Sequence, residues 1–384
     1  MTQYSAPSRR TLAKGALLGA AAALLGPAVS AASAVADGPA VLRLPAPTGP
    51  HPVGLRTFVL TDTSRQDPWE PAAGVREVKI GVLYPARSAR AVRGCPRAPQ
   101  LTPDEARLFA LLASHVHPGL PGAGVDWGAV LTHGHVDAPP LPGRRPVLLY
   151  TPGGGDSRTL GTTLAEDLAS HGRVVVLVDH PGDASQVELP SGMRVTVLRG
   201  DPDPATFRTM IDTRVADLRF VLDRLGDLPL APVMDLRRIG VYGHSAGGTA
   251  AVHALAGDDR IAAGVNLEGY LDLDPDLVAG LDRPLLMFRT DGFEFADRLV
   301  RSWEGVPARR VLLTDAGHWV LSDYAHLVPQ LQAAGLVTAG SRAALVGAGD
   351  TAETTALVRH GVRAFFDHRL RAPAPPARPR RAPQ

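Results

Sequence analysis

The chain has 384 residues, 40 of them Gly and 35 Pro, too many turn formers for a bundle of long helices and without the fixed period of collagen. Hydrophobic residues at 45% and charged residues at 20% describe a globular chain able to bury a core without staples, and a single cysteine, Cys95, excludes an intrachain disulfide framework or a zinc site built on several cysteines. The formal charge of +2 sits at the ends: residues 1–36 hold three cations and no acid and residues 371–384 hold four arginines and no acid, so the body is at −5 and gives no support for a nucleic-acid face.

Residues 1–36 read as an export signal. Arg9, Arg10 and Lys14 precede an apolar run from Gly15 to Val29, and Ala34-Val35-Ala36 supplies an A-x-A exit before Asp37. The arginine pair resembles a twin-arginine signal. The run is short for the ~20 residues that span a bilayer, so the expectation is cleavage, secretion and no stable membrane insertion afterwards. Residues 37–54, rich in Pro and Gly, form a lead-in to one domain over 55–370, and the Pro/Arg-rich tail 371–384 is expected to be disordered.

Within the body, Arg56 to Leu60 and Arg76 to Tyr84 read as two antiparallel strands. Thr102-Pro103-Asp104-Glu105 opens a helix that runs towards Ser114, and Pro118 to Arg145 reads as loop-rich. From Pro146 short apolar runs alternate with helical patterns. Strands are expected over Pro146–Tyr150, Val174–Val178, Arg238–Tyr242, Ala262–Leu267, Pro284–Arg289 and Arg310–Leu313. Helices are expected over Thr159–His171, Thr206–Leu225, Gly247–Ala256, Phe295–Trp303 and Ala356–Leu370, and Gln186 to Val197 reads as a hairpin. The fold class is therefore α/β, a doubly wound and mostly parallel sheet with helices on both faces and antiparallel strands at its N-terminal side. Sites in such sheets lie beyond the carboxyl ends of the strands.

Gly243-His244-Ser245-Ala246-Gly247 follows one apolar run and opens an Ala-rich helix. This is the context a G-x-S-x-G elbow requires: a serine raised at a sharp turn, with small residues on either side because strand and helix nearly touch. A serine hydroxyl needs a base, itself oriented by an acid. Of the histidines late in the chain, His318 alone follows a core strand directly; His326, His360 and His368 fall in helical stretches. Two acids occupy suitable strand ends, Glu268 and Asp291, and topology alone makes Asp291 the commoner arrangement. An oxyanion hole needs two N–H groups. Ala246 supplies one, and the Pro152-Gly153-Gly154-Gly155 loop the other, with Gly154 first and Gly153 next.

These stretches resemble the α/β-hydrolases related to plasma-type platelet-activating factor acetylhydrolase and its bacterial relatives. The similarity rests on Tyr150 to Leu160, Leu168 to Val176, Val178 to Pro181, the elbow, and Gly317 to Tyr324. It implies an α/β-hydrolase domain over 55–370, hydrolysis of small-molecule or lipid esters with short or modest acyl chains, and no metal or cofactor. It also places the acid about two dozen residues past the serine, which puts Glu268 ahead of Asp291. That family usually has Asp there, and often His-Gly where this chain has Pro152-Gly153. An acyltransferase on the same scaffold and a catalytically silent binding protein are the rival readings. His133-Gly134-His135-Val136-Asp137 has the look of a dinuclear zinc hydrolase, but Ala138 follows and no apolar strand leads in, so it is not taken as a metal site. Phe293, Phe295, Trp303 and Trp319 are candidate pocket aromatics.

Overall fold

Runs with no polar member can be strands only where both faces are covered, and the sheet is assembled around such runs. The computed structural model describes residues 38–196 and 203–371; the expectations for the export signal and for the tail beyond Arg371 lie outside the described residues. The strands are β1 (Val53–Gln66), β2 (Val75–Pro85), β3 (Arg97–Pro99), β4 (Leu131–Val136), β5 (Arg145–Thr151), β6 (Val174–Val178), β7 (Gln186–Leu189), β8 (Gly192–Val195), β9 (Met234–His244), β10 (Ile261–Leu267), β11 (Leu285–Thr290) and β12 (Arg309–Leu313). The helices are α1 (Pro103–Val116), α2 (Thr162–Ser170), α3 (Pro204–Arg224), α4 (Ala246–Gly257), α5 (Pro275–Ala279), α6 (Ala296–Ser302), α7 (Tyr324–Ala333), α8 (Ala339–Val346) and α9 (Thr351–Arg369).

Ten strands form one sheet in the order β12-β11-β10-β9-β5-β6-β2-β1-β4-β3, and β7 pairs with β8 alone. From β12 to β6 all pairs are parallel. β2 runs antiparallel to β6, and β1 antiparallel to β2. Alternate residues serve opposite cores. Leu148, Tyr150, Val175 and Tyr242 pack with Leu168 of α2 and Val362 and Phe366 of α9. Val147, Leu149, Val176 and Val241 pack with Leu218 and Val221 of α3 and Val252 and Leu255 of α4. The expected doubly wound architecture is present. Among the described residues no helix is long and apolar enough to cross a membrane.

The structure adds detail to three stretches. In the lead-in Leu42 and Leu44 are buried, and β1 begins at Val53. The loop-rich stretch from Pro118 contains one strand, β4, whose buried face is Thr132 and Gly134. With no apolar alternation on that face, its strand character is set by pairing with β1 and β3. Helix α9 starts five residues before Ala356, because Asp350 accepts the N–H groups of Ala352 and Glu353 and so caps an earlier turn.

Candidate active site

Strand β9 ends at His244 and α4 begins at Ala246, leaving Ser245 at the bend with φ 54° and ψ −124°, a conformation costly for any residue with a Cβ. Neighbouring backbone segments force it. Ser245 N–H donates to Leu267 O at 2.9 Å. A Cβ on Gly247 would lie 2.1 Å from Thr151 O, and one on Gly243 2.2 Å from Gly247 O, so the two motif glycines are dictated by backbone contact. Gly248 and Gly269 are equally confined, against Asn266 Oδ1 and Ser245 O.

Glu268 follows β10 with φ 64°, and its side chain is buried. One carboxylate oxygen, Oε2, stands 2.8 Å from His318 Nδ1. The other, Oε1, accepts the backbone N–H of Thr290 at the end of β11, and the Thr290 hydroxyl stands 3.0 Å from both oxygens. His318 lies in the loop after β12 and is also buried. Its ring is stacked on Phe293 at 4.2 Å and sits 4.6 Å from the ring of His244, the residue before the serine. His244 Nε2 donates to His318 O at 3.1 Å, so Nδ1 of His244 is bare. Burial, reinforced by the neighbouring His318, pushes the His244 pKa well down and keeps the ring neutral. The structure therefore joins His318 to Glu268, not to Asp291. Asp291 is exposed and accepts the N–H groups of Asp315 and Ala316 at 3.0 and 3.1 Å, shaping the loop that leads to His318. With Nδ1 committed, Nε2 is the nitrogen left for Ser245. The two atoms are not hydrogen-bonded, and such contacts often tighten only once substrate is bound.

The N–H of Ala246 opens α4 beside the serine. A Cβ on Gly154 would stand 3.8 Å from Ala246 Cβ, whereas one on Gly153 would meet Asp156 Oδ2 and His244 Nδ1. Gly154 is thus the loop residue that faces Ala246. Met210 and Ile211 of α3 pack with Ala246 and Ala250, with Phe207, Leu273 and Trp69 against them, giving the region an apolar wall.

No family model matches the chain. A ferulic acid esterase of known structure from Streptomyces cinnamoneus is 34% identical and superposes with a TM-score of 0.72, covering 88% of this chain and 97% of that one. The chain belongs to the esterases of the α/β-hydrolase fold. A probable 1-alkyl-2-acetylglycerophosphocholine esterase from Arthroderma benhamiae is 32% identical over 255 residues, 62% of each chain. Platelet-activating factor acetylhydrolase from Canis lupus familiaris is 26% identical over 205 residues, 45% of this chain and 46% of that one. The chain is therefore matched over about three fifths of the fungal relative's length and under half of the canine one's.

In this α/β-hydrolase the other sequence signals resolve individually. His133 Nε2 and His135 Nδ1 are committed to the carbonyls of Leu44 and Cys95, and Asp137 pairs with Arg56 at 3.0 Å. Among the described residues no group of three or more His, Cys, Asp or Glu could hold a metal. The β7–β8 hairpin, described to residue 196, is rooted at the glycine loop 152–155 through Ser185 N–H to Gly155 O, and Arg194 ties it to Asp67 and Glu70. Trp303 is core, its indole N–H held by Gly269 O. Trp319 packs on His244 and His318, and Phe295 is exposed beside Phe293. Spacing announced none of Thr290, His244, Asp183 or Arg214. The last two come from a loop and a helix and meet the glycine loop 152–155 only in the folded chain.

Proposed function

We propose that the protein is an exported serine hydrolase of carboxylic esters with short or modest acyl chains, working through an acyl-enzyme. The observation that carries this reading is the 2.8 Å contact of Glu268 Oε2 with His318 Nδ1 beside the Ser245 bend. Ser245 Oγ attacks the ester carbonyl carbon while its proton passes to His318 Nε2. Glu268 stabilises the imidazolium and holds its tautomer. The oxygen that becomes negative lies against the N–H groups of Ala246 and Gly154. Collapse breaks the C–O bond, the leaving alcohol takes the proton from His318, and water repeats the cycle on the acyl-serine to release the acid and free Ser245.

The relatives' names point to two acyl groups, acetyl and feruloyl, and the apolar wall of Phe207, Met210 and Leu273 supports a modest apolar acyl group. Turnover of p-nitrophenyl esters of graded chain length, set beside methyl ferulate, measures that preference. Ser245→Ala is expected to abolish turnover and fluorophosphonate labelling while the protein stays folded; retained turnover sinks the assignment. Export is supported by Arg9, Arg10 and the apolar run. Replacing both arginines by lysine should keep the protein inside the producing cell, and unchanged export would discard the twin-arginine route.

A further inference from the structure

We propose that Arg214 is a positioning residue that sets the oxyanion hole from behind, a role that rests on reading Ser245 as the nucleophile. Arg214 lies on α3, and its guanidinium is fully buried. Nη1 donates to Pro152 O and contacts Thr151 Oγ1 at 3.3 Å; Nη2 donates to Gly153 O at 3.0 Å. Nε pairs with Asp183 Oδ2, and the other oxygen of Asp183 accepts the N–H of Gly155 at 3.2 Å. One ion pair thus grips the loop at three successive peptide groups.

The consequence follows from peptide geometry. No cis peptide bond occurs among the described residues. In a trans peptide the C=O of one residue and the N–H of the next point in opposite directions. With Gly153 O drawn to Arg214, the N–H of Gly154 must point away from Arg214. With Pro152 O drawn the same way, so must the N–H of Gly153. Among the described residues neither N–H makes a hydrogen bond. Three consecutive glycines have no side chains to hold these planes, and glycine reaches many backbone conformations at little cost. Two fixed carbonyls remove that freedom. Preorganised donors of this kind act on the transition state more than on bound substrate, and a planar fork holds two carbonyls where an ammonium cannot.

The grip also has an outer anchor. Thr151 Oγ1 contacts His180 Nε2 at 2.9 Å, and His180 Nδ1 contacts Asp217, which is paired with Arg76. Loop, clamp and the start of the sheet form one buried polar network, so Arg214 is braced as well as the loop it holds.

The test compares wild type, Arg214→Lys and Arg214→Met on p-nitrophenyl acetate, with a trifluoromethyl ketone as a probe of the tetrahedral oxyanion. Lysine keeps a cation against Asp183. The expected result for folded variants is a kcat loss of about 100-fold with KM changing less than about threefold, and ketone affinity falling by a similar factor. A kcat within about threefold of wild type, or a loss confined to KM with ketone affinity unchanged, overturns the proposal. Should neither variant fold, Asp183→Asn decides: a kcat drop of about tenfold supports the clamp, and an unchanged kcat removes it. Failure of the nucleophile reading is seen separately, as wild-type turnover that survives Ser245→Ala.

Discussion

Replacing Glu268 with Gln changes one atom of the site and should nearly silence it. Thr290 offers its backbone N–H to Oε1, and that N–H can only donate, so the carbonyl oxygen of a glutamine takes that place. The NH2 then falls on the Oε2 position, 2.8 Å from His318 Nδ1. An amide NH2 can only donate. It selects the tautomer of His318 with a bare Nδ1 and a proton on Nε2, the atom that must accept from Ser245. It also withdraws the negative charge that stabilises the imidazolium. By analogy with other triads the loss in kcat is about 1,000- to 10,000-fold, or roughly 4 to 5.5 kcal/mol of transition-state stabilisation. The assay is steady-state hydrolysis of p-nitrophenyl acetate near neutral pH, with near-UV circular dichroism to establish that the variant is folded. Asp291→Asn is the control: its partners are two backbone N–H groups of the loop, and it should lose less than about tenfold. A Glu268→Gln enzyme within tenfold of wild type, or a larger loss from Asp291→Asn, would refute the assignment of the acid.

Two further outcomes concern stability. Ser245 holds φ 54° and ψ −124°, strain of about 1–3 kcal/mol that glycine escapes, against roughly 1 kcal/mol of added flexibility in the unfolded chain. Ser245→Gly should therefore be inactive yet unfold at higher urea than Ser245→Ala; the reverse order would show that the bend is not strained. Burial pushes the Glu166 carboxyl up to about 8, although the N–H groups of His133 and Gly134 work against it, and Oε2 has no partner. The unfolded value is near 4.3, so between the two the folded state keeps a proton that the unfolded state releases. The stability contributed by the neutral group is complete at about pH 4 and is lost as pH rises through 8. Urea unfolding at pH 5 and pH 8.5 should show a smaller loss for Glu166→Gln than for wild type, and parallel profiles would exclude the buried neutral acid.

Much of the site is legible in local sequence, because each element announces itself within a few residues. Gly243 to Gly247 marks the elbow since strand and helix backbones touch there, and His318 is marked by its place directly after β12. The apolar runs of β5, β6 and β9 specify a sheet covered on both faces. Strand β4 was hidden because its buried face is Thr132 and Gly134, residues with no apolar signature. Topology alone left Glu268 and Asp291 open, since both follow parallel strands; the family resemblance put Glu268 first, and the 2.8 Å contact with His318 shows that this carboxylate turns towards the imidazole.

By itself the sequence determined the fold class and singled out Ser245 and His318 as the candidate nucleophile and base, since close backbone contact and hydrophobic periodicity are short-range demands that particular residue types must meet. Only the tertiary structure decided that Glu268 turns inward to His318 while Asp291 shapes the loop beside it, and that Arg214 and Asp183 hold the glycine loop 152–155. Those are contacts between segments tens of residues apart, and the direction of a hydrogen bond across such a distance depends on how the strands and helices pack.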